Sequence, residues 1–296
     1  MIFIVNHGFP WYLSYVGRQI QKTNPGTQLY MILDKAWLQA SGFDVLLMED
    51  YSKMAKEFAV CYKSFFKADE WHVFELIWFQ RYMFVLEYLE SIGYKKDFWL
   101  LDSDVMVYSD LAKVKMNPGI RFTRNKEQDP CFSWFADTTI LREFCEYILD
   151  YYRNKLAFIE NYYEENYVTA KATGGICEMT FLKWFANERR DICQDLSIPV
   201  NGFAFDRGLH EGDGYQKTLW GGKKIRWENG TPWGKLKGQM VSFHGLHCQG
   251  HYKNLIPLYF SGQAEPRRRL DGWKWLAGEY MTNGFKGIIK KILGRL

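Results

Sequence analysis

The strongest constraint on this chain is an alternation at its start. Ile2, Phe3, Ile4 and Val5 form an unbroken apolar run of strand length. Between Trp11 and Thr23, Leu13, Val16, Gly17 and Ile20 recur at helical spacing, and Asn24-Pro25-Gly26 ends the pattern. Gln28 to Leu33 then supplies a second apolar strand that closes at Asp34. Parallel strands cannot be joined by a tight hairpin, so strand, helix and strand in succession demand a sheet with helices on its faces. A chain of 296 residues, 47% of them hydrophobic, can bury such a core without disulfides or a structural metal.

The longest periodic segment runs from Asp69 to Ile92. Asp69 fits an N-cap and Gly93 a C′ position, while Trp71, Phe74, Trp78, Tyr82, Val85 and Leu89 make an apolar stripe expected to face the core. The next strand, Asp97-Phe98-Trp99-Leu100-Leu101, is closed by Asp102-Ser103-Asp104. Two carboxylates one residue apart therefore stand at the carboxyl end of a buried strand, where open α/β sheets bind ligands. Their hard oxygens suit Mg²⁺ or Mn²⁺ and, through the metal, a diphosphate. Further on, Cys131 to Arg153 and Glu178 to Asn187 hold helical patterns. From Ile198 to Phe243, short apolar runs between Gly and Pro turns predict strands at the edge of the mixed sheet.

A second polar cluster is His247-Cys248-Gln249-Gly250-His251-Tyr252-Lys253. An imidazole can complete the coordination of a metal held by two aspartates, a glycine lets backbone approach phosphate, and a lysine neutralises it. His244 and His251 compete with His247 for the ligand role.

Composition narrows the classes. Net charge is only +4, which argues against a nucleic-acid partner, and no P-loop motif occurs. The six cysteines form no CxxC pair or zinc spacing, which predicts buried free thiols in a reducing compartment. The apolar start lacks a basic n-region, and no apolar run reaches 18 residues, so the expectation is a cytoplasmic protein. The last thirty residues carry eight basic side chains against Asp271 and Glu279, leaving the remainder slightly acidic. Met281, Phe285, Ile288, Ile289, Ile292 and Leu296 share one face of a helical wheel, flanked by Lys286, Lys290, Lys291 and Arg295. This predicts a basic amphipathic C-terminal helix that either lies on an anionic membrane surface or docks on the domain. Residues 1–260 are accordingly expected to form the domain and 261–296 the tail. Aromatic residues reach 18%; beyond the core, Tyr162, Tyr163, Tyr167, Trp227 and Trp233 are candidates for stacking on sugars.

Taken in order, Asn6-His7-Gly8, Gln80-Arg81-Tyr82, Leu101-Asp102-Ser103-Asp104-Val105, Gly174-Gly175-Ile176-Cys177-Glu178-Met179 and the late His-x-x-Gly-x-x-Lys resemble metal-dependent glycosyltransferases of the GT-A fold. The similarity is greatest to bacterial enzymes of capsule and lipopolysaccharide assembly and spans residues 2 to about 256. It implies a Rossmann-like, mostly parallel sheet, an Mn²⁺ or Mg²⁺ cofactor, a UDP- or GDP-sugar donor and a surface-glycan acceptor. By the same resemblance, Asp102, Asp104 and His247 are the metal set, with Asp102 also near ribose or sugar. Ser103, Gly250 and Lys253 lie on the donor and its diphosphate. Arg81 sits near the donor, and Val5, Asn6, His7 and Asp34 frame base and ribose. Glu178 stands where inverting members carry a general base. Two departures from the pattern are Glu for the commoner Asp at 178, and Cys248 in place of an aromatic. Two rivals remain: a sugar-nucleotide nucleotidyltransferase, for which Asn6-His7-Gly8-Phe9-Pro10 is a poor glycine-rich loop, and a non-catalytic glycan-binding protein.

Overall fold

A computed structural model describes residues 1–36, 43–66, 72–123, 130–218 and 221–260. Among these, the strands in chain order are β1 (Ile2–Asn6), β2 (Leu29–Leu33), β3 (Asp44–Leu47), β4 (Phe65–Phe66), β5 (Phe98–Leu101), β6 (Val105–Val107), β7 (Ile120–Phe122), β8 (Phe132–Phe135), β9 (Gly175–Ile176), β10 (Cys193–Asp195), β11 (Phe203–Phe205), β12 (Arg226–Glu228), β13 (Thr231–Leu236) and β14 (Gln239–His247). The α-helices are α1 (Leu13–Thr23), α2 (Lys53–Cys61), α3 (His72–Ser91), α4 (Thr138–Asn154), α5 (Leu156–Tyr163), α6 (Glu178–Glu188) and α7 (Ile256–Tyr259). They sort into two compact units, one of residues 1–9, 30–101 and 116–195, the other of 10–29, 102–115 and the described residues from 196 on. The predicted C-terminal helix lies outside the described residues. No helix among the described residues is long and apolar enough to cross a membrane.

The first unit is the expected helix-covered mixed sheet, in the order β10-β7-β8-β5-β1-β2-β3. β1 and β5, β2 and β3, and β7 and β10 pair parallel, while β8 runs antiparallel between β5 and β7. Every residue of β2 and β5 is buried, which is why both read as continuous apolar runs. The core is largely aromatic: the Phe79 ring lies 5.4 Å from Phe58 and 5.3 Å from Phe181, and Phe58 meets Tyr152 edge-on at 5.0 Å. Much of the aromatic excess is therefore packing.

Three expectations need correction or refinement here. The α3 stripe is not uniformly a core face, since Phe74 is 46% exposed and Trp78 only half-buried. From Phe79 to Leu89 the helix is instead buried nearly all round, because other elements cover it on several sides. Asp69 and Trp71 lie outside the described residues; Gly93 does take the left-handed conformation, at φ +65°. The 131–153 segment divides into β8 and α4, with the Asp137 carboxylate capping Thr139 and Ile140 N–H at 2.8 and 3.1 Å.

The third correction concerns Ile198 to Phe243. These strands do not extend the first sheet; they form a separate one in the second unit, ordered β11-β14-β13-β12, with β6 also paired to β14. Two hairpin turns account for it. Asn229-Gly230 (φ +51° and +78°) joins β12 to β13, and Lys237-Gly238 (φ +47° and +93°) joins β13 to β14. Two central residues with positive φ match the right-handed strand twist, so consecutive strands pair with each other. α1 packs beside β6 through buried polar groups. Gln19 Nε2 donates to the Val107 carbonyl at 2.9 Å; Asn24 donates to the Ser109 carbonyl at 3.1 Å and accepts from Leu111 N–H at 2.6 Å.

Asn24→Ala leaves the buried Leu111 N–H without its acceptor and is expected to cost about 1 to 3 kcal/mol. Urea unfolding followed by circular dichroism measures it, and an unchanged midpoint would contradict this role for the side chain.

Candidate metal centre

The site is built by strand register. β6 and β14 pair antiparallel with Val105 opposite His247, Met106 opposite Leu246 and Val107 opposite Gly245. The Cys248 N–H continues the ladder, donating to the Asp104 carbonyl at 3.0 Å. Asp104, immediately before β6, and His247, the last residue of β14, are thus brought side by side although far apart in the chain. Asp104 Oδ1 lies 3.2 Å from His247 Nε2, and Oδ2 lies 3.3 Å from Lys253 Nζ. One ligand atom each from Asp102, Asp104 and His247 falls within 4.8 Å of the others. Asp104 and His247 are 6% and 2% exposed, and Asp102 is half-buried.

Burial alone would raise the Asp104 pKa, but the His247 imidazole and Lys253 ammonium hold it down at about 2. It is therefore a carboxylate throughout the physiological range. Burial works against the Lys253 charge, yet Asp104 and Tyr12 lift its pKa above the ordinary lysine value. Its Nζ lies 5.3 Å from the centre of the Tyr12 ring, and Tyr12 Oη sits 3.4 Å from Ser103 Oγ. His247 Nδ1 is 2.8 Å from the Arg207 carbonyl, which can only accept, so Nδ1 carries a proton. Nε2 is the nitrogen left for a metal, and ligation there requires it to be free of its own proton.

Oxygen and imidazole donors fit Mg²⁺ or Mn²⁺ better than a soft metal. Burial pushes the Cys248 thiol well above its ordinary value, which keeps it protonated and out of the donor set. Gly250 has φ +60°, a backbone conformation that itself calls for glycine at the head of the turn Gly250–Leu255 carrying Lys253. The rival histidines lie elsewhere. His244 Nδ1 pairs with Ser109 Oγ at 2.8 Å, its ring stacks on Phe203, and burial lowers it to about 4; His251 is exposed.

The remaining candidates belong to the first unit. Val5 and Asn6 end β1, and the Asn6 amide donates to the His7 and Gly8 carbonyls at 2.9 and 3.0 Å. Asp34, just past β2, accepts the Gly8 N–H at 2.8 Å and lies 3.7 Å from His7 Nε2. Arg81 of α3 and Glu178, the first residue of α6, are both buried and approach to 3.6 Å. Sequence reading passed over the neighbouring Glu75. Its carboxyl is fully buried, accepts from Ser64 Oγ at 2.9 Å and Tyr62 Oη at 3.1 Å, and is pushed up to about 7 by burial. Tyr12, Asp206, Arg207 and Lys223 were also missed, since no motif or spacing marks them. Of the proposed stacking residues, Tyr162 packs on Trp184 at 4.9 Å, Tyr163 on Phe65 at 5.7 Å, and Trp227 on Tyr108 at 5.2 Å.

No family model and no curated protein matches the chain. Similar solved structures include mouse xyloside xylosyltransferase 1 (8% identity, TM-score 0.46, covering 66% of this chain and 84% of that one). Galactosyltransferase LgtC with donor and acceptor sugar analogues is 11% identical at TM-score 0.34, covering 62% and 69%; the PaToxG glycosyltransferase is 12% identical at 0.39, covering 64% and 69%.

The depressed Asp104 pKa stabilises the fold above the ordinary value of 3.8, and that contribution is lost as pH falls through about 2. In EDTA, the wild type is expected to lose about 2 kcal/mol more than Asp104→Asn across this interval. Urea unfolding at a series of pH values tests it; parallel curves for the two proteins would refute the assignment.

Proposed function

We propose that the chain is a metal-dependent glycosyltransferase of the GT-A type, moving a sugar from a nucleoside-diphosphate donor to a hydroxyl of a glycan acceptor. The observation that carries this is the meeting of Asp102, Asp104 and His247, with Lys253 beside Asp104. A divalent cation bound there would offset the charge that develops on the leaving diphosphate. Asp104 and Asp102 supply its oxygens, and His247 presents Nε2. Lys253, kept cationic by Asp104, is suited to a phosphate oxygen, and Ser103 and Gly250 flank the same groups. Val5, Asn6, His7, Asp34 and Arg81 remain proposals for donor recognition.

For the chemical step we favour a single displacement with Glu178 as base. The acceptor oxygen bonds to the anomeric carbon, its proton passes to the Glu178 carboxylate, and the bond from that carbon to the diphosphate oxygen breaks with inversion. Arg81 Nη2 lies 3.6 Å from Glu178 Oε1, which places a cationic side chain beside the carboxyl group proposed as base. A surface glycan as acceptor, and attachment of the basic tail to the cytoplasmic face of a membrane, complete the proposal.

A screen of UDP- and GDP-sugars with and without Mn²⁺ is expected to give metal-dependent release of nucleoside diphosphate from one donor. Asp104→Ala and His247→Ala should each lower that rate at least a hundredfold, on the order expected when transition-state charge stabilisation is lost. Release of pyrophosphate would point to nucleotidyl transfer, and binding of glycan insensitive to EDTA and to Asp104→Ala would point to a non-catalytic role.

Glu178→Gln should reduce transfer to an acceptor by roughly 10² to 10⁴-fold while leaving donor affinity near the wild-type value. Activity within a few-fold of wild type would remove Glu178 as the base and leave a retaining route open.

A further inference from the structure

Behind His247 lies a buried ionic network that takes no part in the chemistry above. Lys223, its side chain 1% exposed, donates from Nζ to Asp206 Oδ1 at 2.5 Å, to Asp213 Oδ2 at 2.6 Å and to the Gly208 carbonyl at 3.0 Å. An ammonium has three protons, and three acceptors meet them. Asp206, fully enclosed, turns its other oxygen to the His247 backbone N–H at 3.1 Å. Asp213 pairs with Arg207, whose carbonyl holds His247 Nδ1 at 2.8 Å.

The backbone completes the arrangement. Leu209 N–H donates to the His247 carbonyl at 3.1 Å, and Lys223 N–H donates to the Leu209 carbonyl at 2.8 Å. The amide, carbonyl and Nδ1 of His247 are therefore all gripped by the short segment from Asp206 to Leu209. Lys223 stitches that segment together from inside.

Stability alone is a weak reason for such a network. Burying ions costs desolvation energy, and apolar side chains of similar size commonly do as well or better. What apolar side chains cannot do is accept the His247 N–H, as Asp206 does, or tie down by directional bonds the segment whose backbone holds the His247 ring and carbonyl.

We propose that Lys223, with Asp206, is a positioning residue for the metal centre: it sets the placement of His247, and hence the affinity of the Asp102–Asp104–His247 set for a divalent cation. This rests on the metal reading given above. Groups that orient a metal-ligating histidine typically contribute ten- to a hundredfold to metal affinity.

The test is Mn²⁺ affinity, measured by calorimetry or by the paramagnetic resonance of free Mn²⁺, on full-length protein. Lys223→Met alone leaves the buried Asp206 carboxylate without its counter-charge and can fail to fold, so the informative variant is the double Asp206→Leu, Lys223→Met, with thermal melting as its folding control. The expected result is a melting temperature near that of the wild type with Mn²⁺ bound at least tenfold more weakly. That gap should vanish when both proteins also carry His247→Ala, because the network acts through His247. Unchanged affinity in the folded double variant, or a gap that persists with His247→Ala, overturns the proposal and leaves the metal site standing. Failure of the wild type to bind Mn²⁺ overturns the metal reading and this inference with it.

Discussion

The antiparallel register that sets Val105 against His247 is the constraint on which the second unit depends, because it unites two polar motifs that are distant in the chain. A slip of one residue would reverse the face of every side chain on β6. All three β6 residues are buried, so such a slip would set the core packing of Val105, Met106 and Val107 against the ladder. Burial of those side chains and the meeting of the Asp102, Asp104 and His247 side chains are achieved by one alignment. The bond from the Cys248 N–H to the Asp104 main-chain carbonyl extends that alignment one step past the strand end, to the residue that bears the carboxylate.

The two units bury different materials. In the first, rings close the core by edge and face contacts, and the charged residues buried among the described ones, Glu75, Arg81, Arg121 and Glu178, are few. In the second, a lysine, two aspartates and an arginine are packed behind a histidine. An aromatic core tolerates rearrangement at modest cost, whereas a buried ionic cluster is stable in one geometry only. The second kind of interior suits a place where a nitrogen and several oxygens must be held to within a fraction of an ångström.

Much of this was legible in advance, and for identifiable reasons. β1, β2 and β5 are buried on both faces, so hydrophobicity alone marked them, and the carboxylates after β5 stood out against that background. His247 was legible only as one of three histidines. The resemblance through His-x-x-Gly-x-x-Lys singled it out; the residues alone could not, because the stacking of His244 on Phe203 and the bulge in β14 that shifts its pairing with β11 between Ala204 and Phe205 exist only in the fold. Lys223 and Asp206 left no trace, since their pairing spans seventeen positions with no periodicity and depends on a fold already formed. The separateness of the second sheet is not legible in short apolar runs between Gly and Pro turns, which suit the edge of a larger sheet equally well, although Asn229-Gly230 is a strong hairpin signal. Glu75 was hidden for a related reason, as a carboxylate within a helical pattern reads as solvent-facing until the elements over it are known.

The turn at Lys237-Gly238 has a further consequence. It sets the register of β14 against β13 at one end of a nine-residue strand, while His247 is at the other. At about 3.3 Å per residue the two ends are roughly 26 Å apart. An added residue in that turn has to be absorbed in the loop or at the bulge between Phe243 and Gly245, because a shift carried to the far end would break the alignment of Val105 with His247. The hairpin and the β6 pairing thus pin one strand from opposite ends.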